Sequence, residues 1–285
     1  MKYMGILGPR GTHSEAAAVY LNSIIDEPME LVIYPEIFDV LNAVEDGRIH
    51  SGFVPVENSL EGSVNITLDT LARSDNLIVA NELIWPVHNQ LMAKSELKLE
   101  DIKQIYSHAQ PISQCRAYLQ KYCPSAELYT APSTAKAAEI VAASDESENL
   151  AAICTKRAGQ LNGLITIAKE IQDNMFNSTR FFEVSRRDSY SFNGYKDKVF
   201  IICQIYGEHA GSLCEVLEEF AFRNVNMTRI ESRPARTKLG EYIFFFDLDT
   251  NVEAKIIEEA IEAVRKKSIW LKNLGTFPVI TANLD

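Results

Sequence analysis

Tyr3-Met4-Gly5-Ile6-Leu7-Gly8-Pro9-Arg10-Gly11-Thr12-His13-Ser14 holds the first decision about the fold. A short apolar run, Tyr3–Leu7, enters a Gly/Pro turn, and a helical pattern, Ser14–Ile25, follows at once; this reads as strand, turn, helix. The alternation continues outward. Leu31–Tyr34 reads as a strand, Glu36 to about Glu45 as a helix ending near Gly47, Ser51–Val56 as a strand and Val64–Arg73 as a helix. Strands alternating with helices in this way are βαβ units and predict a parallel sheet. A second set comes next, with strands at Leu77–Trp85, Gln90–Ala93, Ile102–Tyr106, Glu127–Thr130 and Ala151–Cys154. Its helices are Gln110–Tyr122 and the Ala-rich Thr134–Ala143, the latter with Ser133 as N-cap. Two α/β lobes predict a cleft between them, a common place for a small ligand.

The pattern changes beyond Arg187–Lys198, a polar stretch read as a linker. Val199–Tyr206, Val225–Ser232, Glu241–Leu248 and a part of Ile269–Val279 read as strands, Gly211–Phe222 and Val252–Lys267 as helices. That order, βαββαβ, is ferredoxin-like. The expected organisation is therefore a two-lobed α/β domain over 1–187 (lobes about 1–76 with 167–187, and 77–166), a linker over 188–197, and a ferredoxin-like domain over 198–285.

Composition narrows the function. A net charge of −11 over 285 residues argues against nucleic-acid and membrane partners. The same charge requires any anionic substrate to meet a local patch of donors. The five cysteines include no C-x-x-C pair, so a zinc site or disulfide framework is not expected; free thiols fit a reducing cytoplasm. No signal peptide is recognised at the N-terminus, and no apolar run reaches the roughly 18 residues of a membrane span.

Four segments carry polar groups at strand ends. In Gly8–Ser14 the glycines permit close approach, helix N–H groups attract anions, and Gly11, Thr12 and Ser14 offer donors; a tight turn with a capping hydroxyl explains the segment equally well. Val54–Val64 leaves a strand with Glu57, Asn58 and Ser59 in a row, the first able to accept or, with a pKa raised by burial, to donate. Ser107, His108 and Gln110 stand before a helix. His108 titrates in the physiological range, although a lone loop histidine is more often structural, and Cys115 reads as core. In Asp173–Phe182, Asn177, Thr179 and Arg180 precede the apolar Phe181-Phe182. Arg180 suits bidentate binding of a carboxylate, or alternatively a structural ion pair. The Thr179 hydroxyl is a feeble acid and needs a relay partner or a place beside developing charge.

The segments G-P-x-G-T-x-S, V-P-V-E-N-S-x-E-G and N-x-T-R-F, in this order from Gly8 to Phe182, resemble the signature of prephenate dehydratases. The resemblance implies two α/β lobes similar to periplasmic binding proteins, and conversion of prephenate to phenylpyruvate, water and carbon dioxide. It implies Thr179, with Glu57 and Asn58, as the catalytic group. Substrate contacts are expected from Gly11, Thr12, Ser14, Ser59, Ser107, His108, Gln110, Asn177, Arg180 and Phe181. Glu57, His108 and Asp173 are alternatives for the proton source behind Thr179. No cofactor or metal is implied, because forming the aromatic ring needs no external electron sink. His13 departs from the family, which usually has Phe or Tyr there. Arogenate dehydratase and a non-catalytic amino-acid-binding protein are the rival readings, and Gly8 lies so near Met1 that no preceding chorismate mutase domain is expected.

Asn226–Pro234 with Tyr242–Asp247 resembles the ACT domain that accompanies these enzymes. Its E-S-R-P segment, Glu231, Ser232, Arg233 and Pro234, is implied to bind L-phenylalanine as effector, with His209, Ala210, Gly211, Ser212 and Leu213 as a second wall. Side-by-side pairing of ACT domains, in a homodimer or homotetramer, is implied as well.

Overall fold

The computed structural model of the chain describes residues 1–190, 196–207 and 209–283, so the middle of the expected linker and Glu208 lie outside the described residues. The first lobe contains β1 (Tyr3–Leu7), α1 (His13–Ile24), β2 (Glu30–Tyr34), α2 (Ile37–Glu45), β3 (Ser51–Asn58), β4 (Gly62–Ser63), α3 (Asn65–Arg73) and β5 (Leu77–Pro86). After β5 the chain crosses to the second lobe. There it forms β6 (Gln90–Ala93), β7 (Gln104–Ser107), α4 (Ala109–Gln114), α5 (Arg116–Tyr122), β8 (Glu127–Thr130), α6 (Thr134–Ala143), β9 (Leu150–Cys154), α7 (Lys156–Leu161) and β10 (Ile165–Ala168). It then returns as β11 (Ser178–Arg186), which lies antiparallel between β3 and β5. The sheets run β16-β5-β11-β3-β1-β2, with β4 on β3, and β10-β6-β9-β7-β8. Here β16 is Val279–Thr281, the last strand of the chain. Two crossings between two α/β lobes give the architecture of periplasmic binding proteins.

The C-terminal unit contains β12 (Lys198–Ile205), α8 (Ser212–Ala221), β13 (Met227–Pro234), β14 (Tyr242–Asp249), α9 (Ala254–Lys266) and β15 (Ser268–Phe277). The strand order β13-β14-β12-β15 is that of the βαββαβ fold.

Three boundaries differ from the sequence reading. The strand starting at Leu77 belongs to the first lobe, because β5 pairs along its length with β11. The segment 279–281 leaves the C-terminal unit and adds to the first lobe, with Val279 beside Glu82 and Thr281 beside Ile84 in parallel register. The single helix expected over 110–122 is two. Cys115 leaves helical geometry (φ −111, ψ 14), and the Asp173 carboxylate accepts the freed N–H groups of Ala117 and Tyr118 at 3.0 and 3.1 Å. The turn into α5 is thus fastened to the strand return between the lobes.

The C-terminal sheet is apolar on both faces. One face packs on its own helices through Ile201, Cys203, Phe246 and Leu248 against Val216, Phe220, Ile257 and Val264. The other carries Phe200, Ile202, Phe245 and Phe277 into the core of the first lobe, against Val54, Val56, Val79, Phe182 and Val184. Phe182 is at the centre, edge-on to Phe200 at 5.3 Å and to Phe277 at 5.5 Å. Because this core is shared, the first lobe and the C-terminal unit are expected to melt in one calorimetric transition. Phe182→Ala should lower that common transition through a loss of about 3–5 kcal/mol; two transitions of which only one moves would contradict the shared core.

Candidate active site

Strand pairing brings the motifs together. Thr179 on β11 lies between Asn58 on β3 and Trp85 on β5. Directly opposed residues project to the same face of a sheet, so these three side chains share one side. The Asn58 Nδ2 group donates to Thr179 Oγ1 at 3.0 Å and to Asn177 Oδ1 at 2.8 Å. Its orientation is not free, because Asn58 Oδ1 accepts the backbone N–H of Leu60 and of Glu61. The consequence is chemical. The Thr179 oxygen accepts from Asn58, which leaves the hydroxyl proton available to a ligand, and a hydroxyl that accepts one bond donates the next more strongly.

Neighbouring groups hold this pair in place. Ser59 Oγ accepts from Ser178 N at 3.0 Å and donates to Phe176 O at 3.2 Å, tying the two motif loops together. Asn177 is buried and donates to Gln114 Oε1 on the second lobe at 3.3 Å. Gly11, at φ +84, brings the other loop against that lobe: its carbonyl accepts from Thr155 Oγ1 at 2.6 Å, and a Cβ here would stand 3.0 Å from Ala158. Thr12 is the N-cap of α1, accepting from Glu15 N and donating to Pro9 O. Ser14 is half-buried near the start of the same helix.

Period-two alternation sends other expected site residues elsewhere. Glu57 and Arg180 point away from Asn58 and Thr179, toward the C-terminal unit. The Arg180 guanidinium, expected to hold a substrate carboxylate, makes bidentate bonds to Glu82 at 2.6 and 2.9 Å and to Asp247 at 2.7 and 3.1 Å. Glu57 takes a further bond at 3.2 Å. Burial alone would lower the Arg180 pKa, but Asp247 and Glu82 outweigh it and raise it, so the group stays charged. Glu57 also accepts from Arg229 Nε at 3.0 Å, which places it beside charges and not beside Thr179. Phe181 is buried core, stacked on Phe53 at 4.8 Å. Ser107 is fully buried and donates to Ile153 O, whereas His108 and Gln110 are exposed, with His108 Nδ1 capping α4 through Gln110 N. Burial pushes the Cys115 thiol up to about 12, with Asp173 adding to the rise, in keeping with a core residue. Gln114, Trp85 and Asn89, which also line or brace the interlobe space, carried no signal beyond their neighbourhood to a motif.

The family model for prephenate dehydratase matches residues 4–189, and that for the ACT domain matches 201–265. The chain belongs to the prephenate dehydratase family. A prephenate dehydratase of Methanocaldococcus jannaschii is 35% identical over 271 residues, covering 95% of this chain and 96% of that protein. A bifunctional chorismate mutase/prephenate dehydratase of Aquifex aeolicus is 35% identical, covering 95% of this chain and 72% of that protein. The crystal structure of the Arthrobacter aurescens prephenate dehydratase in complex with L-Phe superposes with a TM-score of 0.84 at 32% identity, covering 98% of this chain and 90% of that one. As a member of this family the chain is a lyase of phenylalanine biosynthesis.

In this dehydratase the Arg180 guanidinium is taken up by buried carboxylates. It pairs with Glu82 and Asp247, whose side chains have no solvent exposure, and Lys198 adds a second positive charge 3.2 Å from Glu82. Arg180→Ala leaves Asp247 without a cation and Glu82 with Lys198 alone, and is expected to cost about 3–5 kcal/mol of stability, read as a lower denaturation midpoint. A selective rise in KM with unchanged stability would restore the substrate-binding role.

Proposed function

We propose that the interlobe cleft dehydrates prephenate with Thr179 as the donor to the departing ring hydroxyl. The observation that carries this is the bond from Asn58 Nδ2 to Thr179 Oγ1, which directs the threonine proton outward. Prephenate carries a ring carboxylate and a ring hydroxyl para to each other. As the bond to the carboxylate carbon breaks, its electron pair enters the ring, the ring becomes aromatic, and the hydroxyl leaves with a proton as water. The dianion plus one proton gives the phenylpyruvate monoanion, carbon dioxide and water. Charge develops on the leaving oxygen, where a placed donor contributes on the order of 10²–10³-fold. Asn58 stabilises the threonine oxygen as it loses proton density, and solvent returns the proton after release. Thr179→Ala is expected to lower kcat by about that factor with KM little changed, and Thr179→Ser to keep most of the rate; near-normal turnover of Thr179→Ala at saturating prephenate rejects the assignment. Parallel assays on arogenate, with an amino group in place of the keto group, determine the preferred substrate.

The ACT unit is proposed as the sensor of L-phenylalanine. Arg233 on β13 and Gln204 on β12 both pair with Ile243, so the ends of the E-S-R-P strand and of the strand leading to His209–Leu213 lie two strands apart, roughly 10 Å. Ser232 and Pro234 are exposed there, with His209, Ala210 and Gly211, whereas Ser212 is buried and Leu213 half-buried. Glu231 and Arg233 face the first lobe, where Glu231 bonds Ser63 and Arg233 bonds Asn65 and Asp69. Ser63 pairs by backbone with Glu57 beside Asn58. Effector bound at this strand would act by favouring one arrangement of these contacts, which requires unequal affinity for the two states. Side-by-side pairing of ACT sheets in a homodimer or homotetramer fits the exposed edge β13. Asp69→Asn is expected to weaken the response of turnover to L-phenylalanine by at least about fivefold; an unchanged response excludes this route. No helix among the described residues is long and apolar enough to cross a membrane.

A further inference from the structure

With Arg180 committed to Glu82 and Asp247, the grip on a dianionic substrate has to come from other groups. A cavity of about 550 Å³ lies between the lobes, faced by His13 and Trp85 from the first and by Thr155, Lys156 and Lys169 from the second. Trp85 is the cross-strand neighbour of Thr179, with Cβ atoms of such pairs about 4.5–5.5 Å apart. The cavity therefore begins one side chain away from the proposed donor.

Its charge is cationic in a chain of net charge −11. Arg157 also faces it, but Glu15 holds that guanidinium at 3.0 and 3.2 Å. Glu170, the one carboxylate among its lining residues, is 3.4 Å from His88 Nδ1. Among the described residues, no carboxylate lies within ion-pair distance of Lys156 or Lys169, and both are exposed to the opening.

His13 adds a built donor. Trp85 Nε1, which can only donate, reaches His13 Nδ1 at 3.2 Å. Burial, the largest cause, and the nearby His88 lower the His13 pKa to about 4 against the pull of Asn89, so the ring is neutral near pH 7. A neutral imidazole that accepts at Nδ1 carries its proton on Nε2. That Nε2 is buried and has no hydrogen-bond partner of good geometry. Behind it the Asn89 amide, 1% exposed, lies close to His13 and to Cys115 but meets neither in good geometry, and both ends of the amide lack a partner.

We infer that the cavity faced by His13, Trp85, Lys156 and Lys169 is the subsite for a carboxylate of the substrate. This rests on the proposed dehydration in the cleft. The ring carbon para to the hydroxyl carries both the leaving carboxylate and the pyruvyl side chain, so a hydroxyl at Thr179 directs the pyruvyl carboxylate, which phenylpyruvate retains, across the indole of Trp85 into this cavity. The lysines supply charge, His13 supplies a donor at the wall of the cavity, and Trp85 supplies a flat apolar wall for the ring.

The test is the double variant K156M/K169M, which removes two charges and keeps the apolar stems. KM for prephenate is expected to rise at least about tenfold, with kcat within about threefold, since charged hydrogen bonds contribute about 1.5–3 kcal/mol. The wild-type KM should also rise more steeply with ionic strength than that of the variant. Calorimetric binding of the monocarboxylate phenylpyruvate should weaken in parallel, a readout independent of turnover. His13→Phe is expected to weaken phenylpyruvate binding about fivefold, and His13→Gln, which retains a donor, to recover part of the loss. KM and phenylpyruvate affinity within twofold of wild type in K156M/K169M overturn the subsite. Failure of wild-type protein to form phenylpyruvate from prephenate overturns the dehydration reading instead, and the calorimetric comparison still decides whether the cavity binds a carboxylate.

Discussion

One guanidinium governs the arrangement of this molecule. Arg180 lies inside a protein whose two nearest carboxylates, Glu82 and Asp247, are completely withdrawn from water. Isolated charges in such a place are strongly unfavourable, so all three groups must be present and must meet. Glu82 is on β5, Arg180 on β11 and Asp247 on β14, which means that the first lobe and the C-terminal sheet are held in one relative position. Lys198, at the start of β12, donates to Glu82 at 3.2 Å and joins the same cluster. Thr179 is the residue just before Arg180 in the chain. Its position is a by-product of the position of Arg180, because a strand pinned on one face has little freedom on the other.

That two-sidedness accounts for the dense motif content of β3 and β11. Asn58 and Thr179 face the cleft, and Glu57 and Arg180 face the ACT sheet. A run of adjacent polar residues is two sets of contacts interleaved. The cleft-facing pair and the pair facing the ACT sheet are thus separated by the thickness of one sheet, although their residues alternate in sequence. The Arg229 and Glu231 pair extends the ionic cluster along β13, and Ser63 links it back to the loop after Asn58.

Much of this was legible in the sequence for identifiable reasons. The alternating apolar runs disclose both α/β lobes and the βαββαβ unit because each element buries its own stripe. The pairing of Asn58 with Thr179 was foreshadowed by two strand-end motifs. Arg180 could not be assigned, since a buried ion pair and a carboxylate clamp use the same side chain, and its partner Asp247 lies 67 residues away. Phe181 looked like a site residue through adjacency, whereas its ring belongs to the core beneath α1. His13 lies 72 residues from Trp85 and further still from Asn89, and only the tertiary fold brings them side by side. The break at Cys115 depends on Asp173, which no local propensity encodes.

The return of Val279–Thr281 to the first lobe gives the sensor two attachments to the catalytic sheet. In chain order it sits between β11 and β16, which flank β5 on either side. It is therefore an inserted module and not a tail. A protease that cut between β11 and β12 would leave the sensor moored by β16, with Glu82 N bonded to Pro278 O and Ala282 N to Ile84 O.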